Sequence, residues 1–132
     1  YASKISVLDL HTSRNRHSSS AVSYYDGDIT SVTSLISIFE KIKPDVVIHT
    51  ASPNLMGANN DLYYKVNVEG TKCVIEACQK TGVKALVYTS SASVISDERW
   101  PVIPAKAQTE YYSTTKVHSS HILSYLNVLS VF

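Results

Sequence analysis

Charge of one sign is missing from this chain. Its 12 Lys and Arg residues nearly balance 11 Asp and Glu, for a formal net charge of +1. That balance gives no electrostatic case for binding nucleic acid or an anionic lipid surface. Long apolar runs are missing too: none approaches the roughly 18–20 residues that cross a bilayer. No secretory signal pattern is visible, although the first residue is Tyr1 and not Met, which leaves room for an upstream segment removed or not included. Cysteine is scarce. Cys73 and Cys78 sit five apart in a helical pattern that points them in different directions, so they form neither a zinc nor a redox motif. Reduced, buried thiols in an intracellular protein are the expectation. Internal repeats are absent, and the Ser-rich tract HTSRNRHSSS at 11–20 is the one biased segment.

What is present suits a folded domain. A chain of 132 residues, 44% hydrophobic and 17% charged, belongs with globular proteins and not with disordered ones, and is long enough for one domain with a core. Residues 4–10 read as a strand ending near an acid, and 21–25 as a second apolar run. Thr30 or Ser31 is placed to cap a helix carrying Val32, Leu35, Ile36 and Phe39, which ends before Pro44. Residues 45–51, DVVIHTA, read as a buried strand, and 53–60 as a loop containing Gly57. A long helix is expected over about 61–81, with Tyr63, Val66, Gly70, Val74 and Ala77 facing inward and Gly82 as its stop. Residues 85–88 form the next buried strand, 110–126 a last helix with Val117, Leu123 and Leu126, and 127–132 a final strand. Strand and helix alternate throughout, the pattern of an α/β fold with a parallel, doubly wound sheet.

In such sheets ligands bind beyond the carboxyl ends of the strands. The strand at 85–88 ends in Thr89, Ser90, Ser91 and Ser93. A loop punctuated by Pro101 and Pro104 follows, and then Tyr112 and Lys116, which share a helix face. A phenol is a poor base at neutral pH, but an ammonium one turn away favours the phenolate. A phenolate so tuned can take the proton of a substrate alcohol while hydride leaves the same carbon, and a serine hydroxyl can hold the substrate oxygen in line. Taken alone, Tyr-x-x-x-Lys is also a common exposed pair.

Asp9 at a strand tip can bond the ribose hydroxyls of a dinucleotide and repel a 2′-phosphate, which favours NAD over NADP. A loop acid is the other reading, and nearby Arg14 and Arg16 argue for NADP. Asp28 and Ile29 sit where an adenine would rest, unless Asp28 is simply a turn acid after Gly27. His49-Thr50-Ala51-Ser52 ends a strand in small residues that let a cofactor approach the backbone, with His49 itself read as a satisfied core histidine. His118 and His121 share a helix face without an acid or thiol partner, so no metal is expected. Asn67 lies inside a helix, where it is disfavoured: it is tolerated there, or its amide holds a kink or a water.

The segments VLDL (7–10), GDIT (27–30), KPDVVIHTASP (43–53), LYYKVNVEGTKCVIEAC (62–78), GVKALVYTSSASV (82–94) and Tyr112 to Lys116 together resemble the extended short-chain dehydrogenase/reductases. Within them the chain is most similar to the 3β-hydroxysteroid dehydrogenase family and its fungal-type members that oxidise and decarboxylate sterol-4α-carboxylates. The resemblance implies Ser91, Tyr112, Lys116 and Asn67 as catalytic residues. It implies Asp9, Asp28, Ile29, Tyr112 and Lys116 as binding residues for NAD, to which the small strand-end residues Thr50, Ala51 and Ser52 are added. The implied reaction is oxidation of a 3β-hydroxysteroid or sterol-4α-carboxylate, the carboxylate leaving as carbon dioxide. The implied location is the endoplasmic reticulum membrane, otherwise the cytoplasm, with room for peripheral membrane association and a homodimer.

Two departures go with the resemblance. The family's glycine-rich phosphate loop and the strand before it are absent, and VHSSHILSYLNVLSVF after Lys116 leaves the family pattern. Residues 1–132 are then a partial dinucleotide-binding domain of the Rossmann type, with no substrate domain. In the strand order 3-2-1-4-5-6 the first strand joins the second to the fourth, so the strands at 4–10 and 21–25 are expected to lack a neighbour linking them to 45–51. The isolated chain is expected to be a marginal monomer and inactive. The alternatives are a nucleotide-sugar epimerase or dehydratase, which shares the Ser and Tyr-x-x-x-Lys, and a non-catalytic truncated relative.

Overall fold

The computed structural model describes residues 4–53, 59–91, 111–116, 119 and 129–131. Five strands appear among them: β1 (Ile5–Asp9), β2 (Val22–Asp26), β3 (Val46–His49), β4 (Ala85–Thr89) and β5 (Leu129–Val131). Every pairing is parallel. β1 aligns with β2 from Ile5 opposite Val22 to Asp9 opposite Asp26, β3 with β4 from Val46 opposite Ala85, and β4 with β5 from Val87 opposite Leu129. The strands form two ladders, β1-β2 and β3-β4-β5. The parallel α/β reading therefore holds, and among the described residues no strand links β1 to β3.

Helix α1 (Val32–Ile42) starts where Ser31, not Thr30, accepts the Ser34 N–H. It stops at Lys43, whose left-handed φ of 52° turns the chain ahead of Pro44. The second helical run begins with α2 (Asn60–Tyr63), capped by Asn59 on the Leu62 N–H. It then passes through a π-helical segment (Tyr64–Gly70) and continues as α3 (Thr71–Thr81), closed by Gly82 at φ 72°. The single α-helix expected over 61–81 is thus interrupted. Tyr63, Gly70, Val74 and Ala77 are buried as expected, while Val66 is only half-buried. Gly70 is where this segment needs no side chain: a Cβ there would lie 2.8 Å from Ile29 Cδ1.

The core forms where α1 and α3 cover the strands, from Leu35, Phe39, Val74, Ile75, Ala77, Cys78, Leu86 and Tyr88. β4 is covered as expected. β3 is not the fully buried strand its sequence suggested: His49 is buried, but Val46 is 53% and Ile48 66% exposed. Successive strand residues point to opposite faces, and among the described residues α1 and α3 cover only the face that Val47 and His49 meet. Both cysteines are free, Cys78 buried and Cys73 partly so. Residues 111–116 and 119 are helical, as the last-helix reading requires. The loop with Gly57, Ser93, Pro101 and Pro104, and His118, His121, Val117, Leu123 and Leu126, lie outside the described residues. Among the described residues no helix is long and apolar enough to cross a membrane.

Candidate functional site

Two groups of side chains gather at the carboxyl ends of the strands. The first lines a cleft of about 180 Å³ between the facing edges of β1 and β3. Asp9, Ile29, Thr50 and Ala51 border it, four of the residues expected on the cofactor side, with Leu35, Phe39 and Val74 as its apolar floor. Asp9 is exposed, and its carboxylate accepts the His11 N–H at 3.3 Å.

Asp28 takes no part in this cleft. Its carboxylate accepts the Thr30 N–H and hydroxyl, each at 2.8 Å, and these bonds hold it below the usual carboxylate range. The turn reading of Asp28 is the one the geometry favours. Arg16 stacks 4.5 Å over the Tyr24 ring. The loop after β1 is tied down by Asp26, which accepts the Thr12 N–H and hydroxyl at 2.8 and 2.7 Å. Nothing in the sequence pattern singled out Thr12 or Asp26.

The second group surrounds the π-helical segment. Asn67 is 1% exposed. Its Oδ1 accepts from Ser52 Oγ at 3.2 Å, and its Nδ2 donates to Thr115 Oγ1 at 3.0 Å. Thr115 in turn donates to the Tyr112 carbonyl at 2.8 Å. The Asn67 carbonyl accepts the Thr71 and Ser119 hydroxyls at 2.5 and 2.6 Å. The asparagine thus holds an irregular helix turn, with hydroxyls where a water was the alternative. Thr71, Thr115 and Ser119 carried no sequence signal of their own. A π turn could have been suspected from Asn67 and Gly70 in one helix, since such turns gather at functional sites.

Lys116 is 2% exposed. Its Nζ donates to the Thr89 carbonyl at 3.0 Å and lies 4.5 Å from the Tyr88 ring centre. Burial brings its pKa down to about 8, so it keeps its charge at neutral pH. The lysine thereby fastens the 111–116 helix to the end of β4, two residues from Ser91, which is half-buried. Tyr112 is half-buried too, its ring edge-on to fully buried Tyr63 at 5.7 Å. Tyr88 is no rival base, because burial pushes its phenol up to about 12. His49 is the core histidine expected: it is 4% exposed, bonded to Thr71 Oγ1 at 3.0 Å and packed 5.4 Å from the Tyr88 ring. Burial, and then the nearby Lys116 charge, lower its pKa to about 4.

The profile of the 3-beta hydroxysteroid dehydrogenase/isomerase family matches residues 2–124. Among curated relatives, the sterol-4-alpha-carboxylate 3-dehydrogenase, decarboxylating, of Saccharomyces cerevisiae is 40% identical over 110 residues, 77% of this chain and 31% of the relative. That of Schizosaccharomyces pombe is 52% identical over 71 residues, 54% of this chain and 21% of the relative. The chain thus spans less than a third of the length of these relatives. Among solved structures, Bordetella bronchiseptica WbmG in complex with NAD is 23% identical, with a TM-score of 0.76 over 96% of this chain and 43% of that one. At that identity it speaks for the Rossmann-type fold alone. Thermus thermophilus UDP-glucose 4-epimerase in complex with NAD is 26% identical, with a TM-score of 0.71 over 91% of this chain and 42% of that one. A profile spanning nearly the whole chain, on a parallel α/β scaffold, leads to one assignment: the chain belongs to the 3-beta hydroxysteroid dehydrogenase/isomerase family.

Proposed function

We propose that this chain carries the cofactor-side and proton-transfer residues of an NAD-dependent oxidoreductase that oxidises the 3β-hydroxyl of a sterol 4α-carboxylate or a related steroid. The observation that carries the reading is Lys116, buried and bonded to the Thr89 carbonyl, which holds the Tyr112 helix beside the strand end bearing Ser91. The names of the Saccharomyces and Schizosaccharomyces relatives support the substrate class.

Only the carboxyl-end mouth of the cleft, at Asp9, Ile29, Thr50 and Ala51, suits part of a dinucleotide; the remainder runs between the unladdered edges of β1 and β3 and is the slot a further strand would fill. At about 180 Å³ the whole cleft is smaller than the several hundred Å³ usual for a whole ligand site. Asp9 at its rim would bond the ribose hydroxyls, while Ile29, Thr50 and Ala51 would let the adenosine side lie against backbone and small side chains. Ser52, bonded to Asn67, borders the approach to the nicotinamide side, and Asp28 acts through the turn that presents Ile29. NAD held there would supply the acceptor for the hydride of the substrate's carbinol carbon. Tyr112 takes the hydroxyl proton as the carbonyl forms, and the Ser91 hydroxyl steadies the same oxygen. Lys116 supplies a fixed positive charge on the Tyr112 helix and a donor for the ribose. With the ketone made, a carboxylate on the neighbouring carbon is β to it. Its C–C bond breaks, the electron pair passes to the ketone oxygen as an enolate, and carbon dioxide leaves.

In a full-length protein carrying this segment, assayed with NAD and a sterol 4α-carboxylate, Tyr112→Phe should abolish oxidation and leave NAD affinity nearly unchanged, whereas Lys116→Ala should damage both. Retained turnover in Tyr112→Phe would remove the assignment of the base. Asp9→Ala should relax preference for NAD over NADP, and a wild type preferring NADP would contradict the role given to Asp9. The epimerase reading is favoured by the UDP-glucose 4-epimerase likeness, and product analysis with a sterol and with a nucleotide sugar separates the two. Peripheral attachment to the endoplasmic reticulum membrane and a homodimer go with the sterol reading, since such substrates partition into bilayers. Membrane flotation and sedimentation test them.

A further inference from the structure

We propose that His49, Thr71 and Thr115 are positioning residues for this reaction, forming with Asn67 a set of hydrogen bonds in which every donor direction is fixed and whose end is the backbone of Tyr112. The argument starts at the Asn67 carbonyl, which can only accept. Thr71 Oγ1 stands 2.5 Å from it, so the single hydroxyl hydrogen must lie between them, or two lone pairs would face each other. The same oxygen is 3.0 Å from His49 Nε2. With its hydrogen committed, Thr71 can only accept there, and His49 must carry its proton on Nε2.

The second half runs by the same logic. Thr115 Oγ1 gives its hydrogen to the Tyr112 carbonyl at 2.8 Å, so it accepts from Asn67. The atom of Asn67 facing it must therefore be Nδ2, which turns Oδ1 toward the Ser52 hydroxyl. Both ends of the Asn67 amide are thereby assigned. Ser119 Oγ lies 2.6 Å from the Asn67 carbonyl and 2.9 Å from the Thr115 carbonyl and divides its one hydrogen between them, outside the fixed set, while the Thr71 N–H turns to the Val68 carbonyl. The π-helical turn is held by side-chain hydroxyls, and it aims the Asn67 amide at the turn that bears the base. A neutral His49 is required throughout, and its burial keeps it so at pH 7.

Nitrogen NMR of the folded protein at pH 7 reads which ring nitrogen of His49 is protonated. Nε2–H is expected, and a proton on Nδ1 would overturn the inference. This arm needs no turnover, so it stands apart from the reaction proposed above, on which the second arm, run on a full-length protein carrying this segment, rests. There, Thr71→Val removes donor and acceptor at nearly constant volume and should lower kcat about tenfold, with KM for NAD changed by no more than about twofold. Thr71→Ser should restore kcat. A Thr71→Val enzyme with the wild-type kcat would refute the positioning role, as would a loss that Thr71→Ser fails to rescue. If Thr71→Val does not fold, Thr115→Val against Thr115→Ser gives the same reading from the other end of the set.

Discussion

His49 shows what a single buried side chain does to the pH response of the whole chain. Its pKa falls from an ordinary value near 6.5 to about 4 in the folded state, chiefly through burial. Between those values the unfolded chain binds a proton that the folded chain refuses, so stability drops as pH falls from 6.5 through 4. Fully developed, the loss is on the order of 3 kcal/mol. Urea unfolding at pH 7, 5.5 and 4 should show it, and His49→Gln should flatten the slope over that interval. Asp26, Asp28 and Asp45 have folded values lowered below 3.8, so their losses begin as pH approaches 4 and fall mainly at more acid pH. Lys116 works in the opposite range. Its folded pKa near 8 lies below the ordinary 10.5, so the penalty for burying its ammonium is lifted as pH rises between the two. At this scale Tyr112 and Lys116 stood out in the sequence as a spaced pair, whereas Ser91 and Asn67 were singled out through the family resemblance, and the roles of all four are proposals. Thr71, Thr115 and Ser119 were not legible, because a hydroxyl's partner depends on a helix register that residue spacing does not reveal.

The π-helical segment is the element on which the site turns, and Gly70 is its tightest point. A methyl group there would meet Ile29 Cδ1 at 2.8 Å and Cγ1 at 3.0 Å. The side chain of Ile29, which lines the cleft, would have to give way. Gly70→Ala should therefore destabilise by about 1 kcal/mol and weaken NAD affinity at the same time. Adding Ile29→Val should recover part of the stability, which a double-mutant cycle by chemical unfolding measures. If the two substitutions prove additive, the contact has been misjudged. Helix α1 was readable nearly residue by residue, since Ser31, Pro44 and the spacing of Leu35 and Phe39 all speak locally. The interrupted run from α2 to α3 was not, since a π turn adds one residue to a turn without breaking the apolar stripe.

For the molecule as a whole the decisive fact is the separation of the β1-β2 ladder from β3-β4-β5. The alternation of strand and helix made the parallel α/β class legible. The exposure of Val46 and Ile48 was not, because a continuous apolar run says that a strand is fit for burial, not that something covers it. The facing edges of β1 and β3 present backbone groups outside any ladder among the described residues, and edges of that kind pair with other chains. The chain in isolation should self-associate as its concentration rises, which sedimentation velocity across a concentration series detects. A single sedimenting species at all concentrations would mean that the edges are protected by some other route.

The burial of Cys78 has a use as a clock. Its thiol is 6% exposed and pushed up to about 11, whereas Cys73 is partly exposed and only leans on the Thr30 carbonyl at 3.7 Å. An alkylating reagent at mildly alkaline pH reaches Cys73 through small fluctuations, but Cys78 must wait for α3 to lift from the strands. When opening is fast and reversible, the Cys78 rate divided by that of an unstructured thiol gives the fraction of time α3 spends away. Two cysteines on one helix thus record, in a single mass spectrum, how often the core beneath the active turn comes apart.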